Sequence, residues 1–403
     1  MLIKVNKCAF DSSNTSTDQE LVLKSTFERN GDLKINLPDT YAYPPLINSH
    51  DHLVGNWVPK AGKNHPYPTT DIWVEEMKTS SSYLERNKIW ENDGKFQLHK
   101  GNARLLTSLG IYKNIFSGCN AVHDHAPNQI PSYYKSFPIE VPADYRQCHS
   151  ISLGNWWGGN TAREEWEATK GKMPFILHLA EGTNEKAKKA FGLFEKQDLL
   201  QSNTLIIHGI ALKKDEIRKC ARAGTSICCC PESNLFLIGR TIDIKACIEY
   251  GVNLVIGTDS TMSGSPNILT EIKIFHNKFP DIPSGFIFRC ITENASRALM
   301  LNPKYGKLSS TTSELLLLRK KTADIFDNLL ISESIDIELL IHSGKPIYGD
   351  LKYLDYFELD KSDYFTFNSD GVDRFVIGHP ERTTARIDQI LGYHKPFPYL
   401  PFR

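Results

Sequence analysis

The stretch PPLINSHDHLVGNW (44–57) begins apolar and ends in ionisable side chains. A short apolar, β-favourable run suits a strand buried on both faces of a parallel sheet. Three more segments share this form: MPFILHLAE (173–181), NTLIIHGIA (203–211) and VNLVIGTDS (252–260). GCNAVHDHA (118–126) and GTSICCCPES (224–233) are similar. Helical patterns lie between them at 185–194, 214–223, 242–250, 268–277 and 287–301. Alternating strand and helix argues for an α/β architecture. An open doubly wound sheet would carry a Gly-rich phosphate turn after its first strand. Here the first strand ends in HDHLVGNW instead. Reactive residues gathered at the ends of several strands match a (β/α)₈ barrel. The predicted fold is therefore α/β, a TIM-like (β/α)₈ barrel over residues 46–305.

The flanks read differently. LVLKSTF (21–27), LKINL (33–37), ELLLLRK (314–320) and IELLIHSGKPIYG (337–349) are strand-like and separated by turns. Residues 1–45 and 306–355 are expected to pair into one small β-sandwich-like domain beside the barrel. Residues 356–403 are rich in aromatics and proline and end in PFPYLPFR. This tail is expected to pack on the barrel or on a partner subunit, so a homo-oligomer is one expectation.

Bulk composition excludes several classes. The 403 residues carry 47 Lys+Arg and 47 Asp+Glu, without the basic excess of a nucleic-acid binder. No stretch approaches the roughly 18 apolar residues that span a membrane, and the N-terminus lacks the apolar run of a secretory signal. Nine cysteines occur without C-x-x-C spacing. Reduced thiols in a cytoplasm are expected, and a cysteine zinc site is not.

His50 and His52 stand one residue apart at a strand end. Residues i and i+2 of a strand point the same way, so both imidazoles can meet one metal. His123 and His125 form a second such pair, and spacing alone does not choose between them. His178 and Glu181 close one further strand, His208 another and Asp259 a third. Catalytic zinc takes nitrogen and oxygen ligands and keeps one position open. His50, His52, His178 and Asp259 make such a set, leaving Glu181 and His208 for proton transfer.

This combination resembles the amidohydrolase superfamily, in the branch containing cytosine deaminase, guanine deaminase, adenosylhomocysteine deaminase and the triazine chlorohydrolases. The matching pieces are LINSHDHL for the first strand, SGCNAVHDH for the second, HLAEG for the fifth, IIHGIAL for the sixth, CCCPESNLFL for the seventh and GVNLVIGTDS for the eighth. TENASRALMLNPKYGKL (292–308) matches the helix leading back to the small domain. The resemblance covers about residues 44–310.

It implies that His50 and His52 are the metal pair, and that His123 and His125 lie on a strand without ligands. Two-metal members carry a carboxylated lysine, usually on the fourth strand. QCHSISLG (147–154) has none, so one divalent metal, Zn²⁺ or Fe²⁺, is implied. The implied chemistry is attack of metal-bound hydroxide on an sp² carbon of a planar nitrogen heterocycle. His208 and Asp259 would orient the water and accept its proton, Glu181 would protonate a ring nitrogen, and ammonia would leave, as in an aminohydrolase (deaminase).

The alternatives are ring-opening hydrolysis of a cyclic amide or imidazolone, another leaving group, or a non-catalytic scaffold on the same fold. Trp57 and His65 after the first strand, and Trp156 and Trp157 before the fifth, are the candidate substrate contacts. The chain departs from the pattern in four places: the amino-terminal flank is short for the small β domain, the tail after about 356 has no counterpart, and two more lie within the barrel. Cys229 and Cys230 precede Pro231 where His-Cys-Pro is common, and the short interval between the second and fifth strands leaves little room for crossover helices.

Overall fold

A computed structural model describes residues 1–25, 34–90, 96–151 and 159–402. The HxH-bearing segment forms the first barrel strand, Leu46–Asp51, paired in parallel with the second, Cys119–Asp124. The fourth to eighth strands are Arg146–Ser150, Phe175–Leu179, Thr204–His208, Ser226–Cys229 and Leu254–Ile256. They form one five-stranded sheet in that spatial order, every pair parallel. The third position is reduced to a parallel bridge between Ala121 and Glu140. There the Val122 amide donates to the Glu140 carbonyl at 3.0 Å.

The barrel closes between the eighth and first strands. The Asp259 amide donates to the His50 carbonyl at 3.0 Å. A Cβ on Gly257 would lie 2.7 Å from both the His50 amide nitrogen and its Cβ, so only glycine permits this approach. The fifth, sixth and eighth strands are largely apolar because both faces are covered, by barrel interior on one side and helices on the other. Phe175, Ile176, Leu177, Leu205, Ile206, Ile207, Leu254, Val255 and Ile256 are all fully buried.

The crossover helices follow their sequence signals. Glu185–Lys196 starts where the Asn184 side chain accepts from the Ala187 amide, and buries Ala187, Ala190, Phe191 and Phe194. Lys214–Ala223 stops at Gly224, whose φ of 74° is left-handed, the conformation that ends many helices. One expectation is corrected. The single helix read at 287–301 is two, Ser284–Cys290 and Glu293–Ala298. The Ile291 carbonyl accepts from the Ile47 amide of the first barrel strand at 2.9 Å. A strand-to-helix contact thus takes a carbonyl that helical periodicity would have used internally.

Both flanks contribute to a nine-stranded mixed sheet. The strand Leu315–Arg319 shows why its sequence is LLLL. Leu316 and Leu318 face the barrel core, whereas Leu315 and Leu317 join a separate cluster with Tyr353, Leu354 and Phe357. Period-two alternation sends adjacent leucines to opposite faces, and both faces here are covered.

The expected boundary at 355 needs correction, because two strands of the tail, Tyr364–Ser369 and Val372–Ile377, complete this sheet at one edge. The edge beside Lys345–Asp350 is what draws them in: Tyr348, Gly349 and Asp350 pair with Val376, Phe375 and Arg374. Beyond them, the helix Pro380–Leu391 leads to a terminal segment that reaches the barrel. There the Tyr399 hydroxyl donates to the Asn56 carbonyl at 2.6 Å, and the Lys395 ammonium meets the Val58 carbonyl at 2.7 Å and the Glu85 carboxylate. No helix among the described residues is long and apolar enough to cross a membrane.

Candidate metal centre

The ends of the barrel strands bring the histidines together. The ligating atoms of His50, His52, His125 and His178 lie within 4.8 Å of one another. The Nε2 atoms of His52 and His178 are 3.3 Å apart. Both ring nitrogens of His50 are buried without a hydrogen-bond partner. Burial lowers its pKa to about 3 and holds His178 well below its ordinary value. These imidazoles are therefore neutral, with lone pairs free to ligate. A buried polar side chain with no partner is costly in itself, and a divalent cation would satisfy it. The donor set fits a cation of the zinc type.

Asp259 approaches the same cluster from the eighth strand. Its Oδ1 lies 3.7 Å from His50 Nε2 and 3.5 Å from His52 Nε2. Its Oδ2 accepts from the hydroxyls of Ser233 at 2.7 Å and Ser263 at 3.0 Å. One carboxylate oxygen is thus anchored and the other faces the histidines. Burial alone would raise its pKa, but the surrounding histidines, His50 foremost, hold it well below the usual carboxylate range. Asp259 has φ of 53°, as His208 has 68° and Ala180 has 55°. Left-handed non-glycine residues are uncommon and collect at functional sites. Here each turns the chain at a strand end. At Ala180 the turn separates Glu181 from the direction of His178.

The next layer fixes ring orientations. His178 Nδ1 donates to the His149 carbonyl at 2.7 Å, which leaves Nε2 for the cluster. His208 Nδ1 donates to Asn234 Oδ1 at 2.7 Å, and its Nε2 lies 3.5 Å from Glu181 Oε1. Such outer partners set the tautomer of a ligating or basic histidine. Burial pushes Glu181 up to about 7 against the opposing pull of His208. Asp51, between the two first-strand histidines, pairs with the buried ammonium of Lys113 at 3.1 Å. It also accepts from Asn56 at 2.9 Å and Asn114 at 3.0 Å.

His52, His125, His149, His178, Glu181, His208 and Asp259 line one cavity of ≈ 410 Å³. Its remaining walls include Trp73, Met77, Tyr83, Arg86, Trp90 and Phe96.

The expected substrate contacts need correction. Trp57 is 0% exposed and does not line the cavity. Its indole donates to Glu85 at 2.6 Å and packs edge-on against Phe397 of the tail. His65 is exposed and packs on Phe236, 4.4 Å between centroids, away from the cavity. Trp156 and Trp157 lie outside the described residues. The aromatic wall comes instead from the helices Thr70–Met77 and Ser81–Trp90. Their Trp73, Tyr83 and Trp90 carry no motif that marks them in the sequence. His125 and His149 also went unassigned to the site, although HDH at 123–125 and a histidine in the fourth strand were visible signals.

Residues 161–310 match the amidohydrolase family model. The chain is 33% identical over 140 residues to a 5-methylthioadenosine/S-adenosylhomocysteine deaminase of Pyrococcus abyssi. That match spans 31% of this chain and 33% of the relative. It is 28% identical over 375 residues to the Moorella thermoacetica protein of the same name, spanning 81% of this chain and 87% of the relative. In fold it is similar to the zinc-complexed atrazine chlorohydrolase of Arthrobacter aurescens. The TM-score is 0.68 at 15% identity, over 97% of this chain and 99% of the other. Residues 161–310 are thus similar to the amidohydrolase family, and the likeness to relatives of that kind extends over most of the chain at lower identity.

Proposed function

We propose that this chain is a metal-dependent aminohydrolase that attacks an sp² carbon of a planar nitrogen heterocycle and releases ammonia. One observation carries this reading. Glu181 is a largely buried carboxyl, its side chain 11% exposed, with a pKa raised to about 7, in the same cavity as the histidine cluster and 3.5 Å from His208. A simple amide hydrolase has no need of a protonated carboxyl there, whereas a C=N carbon becomes electrophilic when its nitrogen is protonated.

His50, His52, His178 and Asp259 would hold the metal. Asp259 is preferred to His125 because its Oδ2 is already anchored by two serines, leaving Oδ1 for the cation, and because a carboxylate offsets cationic charge. A divalent metal in this set, Zn²⁺ by its donors, would lower the pKa of a water toward neutrality. His208 Nε2 or Asp259 would take one proton of the attacking water. Glu181 gives its proton to the ring nitrogen as the carbon–oxygen bond forms. The added hydroxyl would then return its hydrogen to Glu181 as the carbonyl forms, the carbon–nitrogen bond would break, and the amine would leave as ammonia with the proton held by His208 or Asp259. Nine buried free cysteines favour a reducing, cytoplasmic setting for this enzyme.

An ammonia-release screen of the zinc-loaded protein on amino-substituted purines, pyrimidines, pterins, triazines and imidazoles tests the reading. Ammonia from at least one class is expected. Loss of ring absorbance without ammonia would favour ring opening, and no change with any class would overturn the reading.

A further inference from the structure

Arg86 is 7% exposed and lines the cavity. Its guanidinium carbon sits 4.6 Å from the Tyr83 ring centroid and 4.9 Å from that of Trp90. Its Nε and Nη2 both donate to Asn87 Oδ1, at 3.3 and 2.9 Å. Among the described residues no carboxylate pairs with it, and Asn87 and the Tyr83 side chain leave part of its N–H donors unused. Burial lowers its pKa to about 10, so it remains cationic at neutral pH. A buried charge is ordinarily paired, and two aromatic faces compensate only in part. Arg86 is also the one cationic side chain among the described residues lining this cavity, whose carboxylates, Glu181 and Asp259, belong to the histidine end.

The geometry points to Arg86 as the recognition site for an anionic group, a carboxylate or phosphate, borne by the substituent of the heterocyclic substrate. The inference rests on the aminohydrolase reading and adds a substrate class to it. The heterocycle occupies the end with Glu181 and the histidines. Its substituent runs along the wall of Trp73, Tyr83, Trp90 and Phe96, and the anion meets the free edge of the guanidinium. A planar guanidinium with an open edge suits two-point contact with carboxylate or phosphate oxygens. Asn87 restrains the guanidinium in its plane and thereby fixes which edge is presented.

Matched substrates test this. For adenine, guanine and cytosine, the ring-nitrogen ethyl, carboxymethyl and phosphonomethyl derivatives are compared by ammonia release. The expected result is a kcat/KM for one acid on the order of 10-fold or more above its ethyl analogue, carried mainly by KM. The better acid identifies carboxylate or phosphate. In Arg86→Gln the acid-to-ethyl ratio should fall to about one, whereas Arg86→Lys, which keeps the charge, should retain part of it. The ratio is internal to each variant, so a partly unfolded preparation does not mimic the effect. Equal kcat/KM for acid and ethyl analogues, or a preference that survives Arg86→Gln, overturns the inference and leaves the aminohydrolase reading standing. No ammonia from any derivative overturns the inference, and the aminohydrolase reading falls with it only if the wider screen also releases none.

Discussion

At the residue scale the site offers two overlapping donor sets, and metal binding separates them. His50 contributes to either, with both ring nitrogens buried and without a hydrogen-bond partner. His50→Ala should therefore lose the metal, whereas His125→Ala should retain it if Asp259 is the fourth ligand. Metal analysis of the two purified variants decides, and loss only in His125→Ala would remove Asp259 from the set. Glu181→Gln keeps size and polarity but carries no proton. Near-normal metal content with a fall in kcat of roughly 10²-fold or more is expected, in line with general acid–base contributions. A Gln variant that turns over substrate at nearly the wild-type rate would make Glu181 structural. Lys113 tests the layer beneath. Its side chain and that of Asp51 are both 0% exposed. Lys113→Met leaves that carboxylate unpaired, a loss of about 3–5 kcal/mol, read by denaturant unfolding. Asp51→Asn in the same chain should recover part of it.

At the scale of elements, each catalytic candidate stands where a strand stops. The strand supplies a rigid, buried base, and the left-handed residues Ala180, His208 and Asp259 turn the chain into the mouth of the barrel. The most exacting junction joins the first and eighth strands, which together present His50, His52 and Asp259. Gly257 permits it, because any Cβ there would meet the His50 backbone. Gly257→Ala should push these strands apart, destabilising the protein by ~1–3 kcal/mol as an overpacked core does. Its metal affinity should fall as well, because the displaced backbone carries a ligand. Titration with a competing chelator alongside thermal melting measures both, and unchanged metal affinity would show that the strands do not set the spacing.

At the scale of the whole molecule, the two ends of the chain meet in one sheet, and the tail then returns to the barrel. Phe397 packs on Trp57, Tyr399 donates to the Asn56 carbonyl, and Lys395 pairs with Glu85. The tail thereby braces the loop that follows the metal-binding pair. Deleting residues 393–403 should uncover Trp57, shift tryptophan emission to longer wavelength and cost at least about 3 kcal/mol, the scale of losing one buried aromatic. Emission and melting curves identical to the full chain would mean that the loop holds itself.

The sequence by itself determined the barrel and its chemistry, because both rest on local rules. Buried parallel strands are written as apolar runs, and side-chain alternation puts His50 and His52 on one side. The reactive residues His178, Glu181, His208 and Asp259 could therefore be read as strand ends. What depends on neighbours distant in the chain was not legible. Trp57 and His65 looked like pocket residues from their position after the first strand, yet Glu85 and Phe397 draw Trp57 into the core and Phe236 holds His65 outside. Strands from 364–377 belong to the small sheet because the edge of Lys345–Asp350 offers them unpaired backbone, which no local pattern announces. Lys113 reads as a polar helix residue until the fold buries it against Asp51. Arg86 is one charged residue of a helix until packing leaves it facing the cavity with no carboxylate partner among the described residues. Periodicity and spacing are short-range and appear in the chain itself. Burial and charge pairing are set by contacts across the fold, and only the tertiary structure decided them.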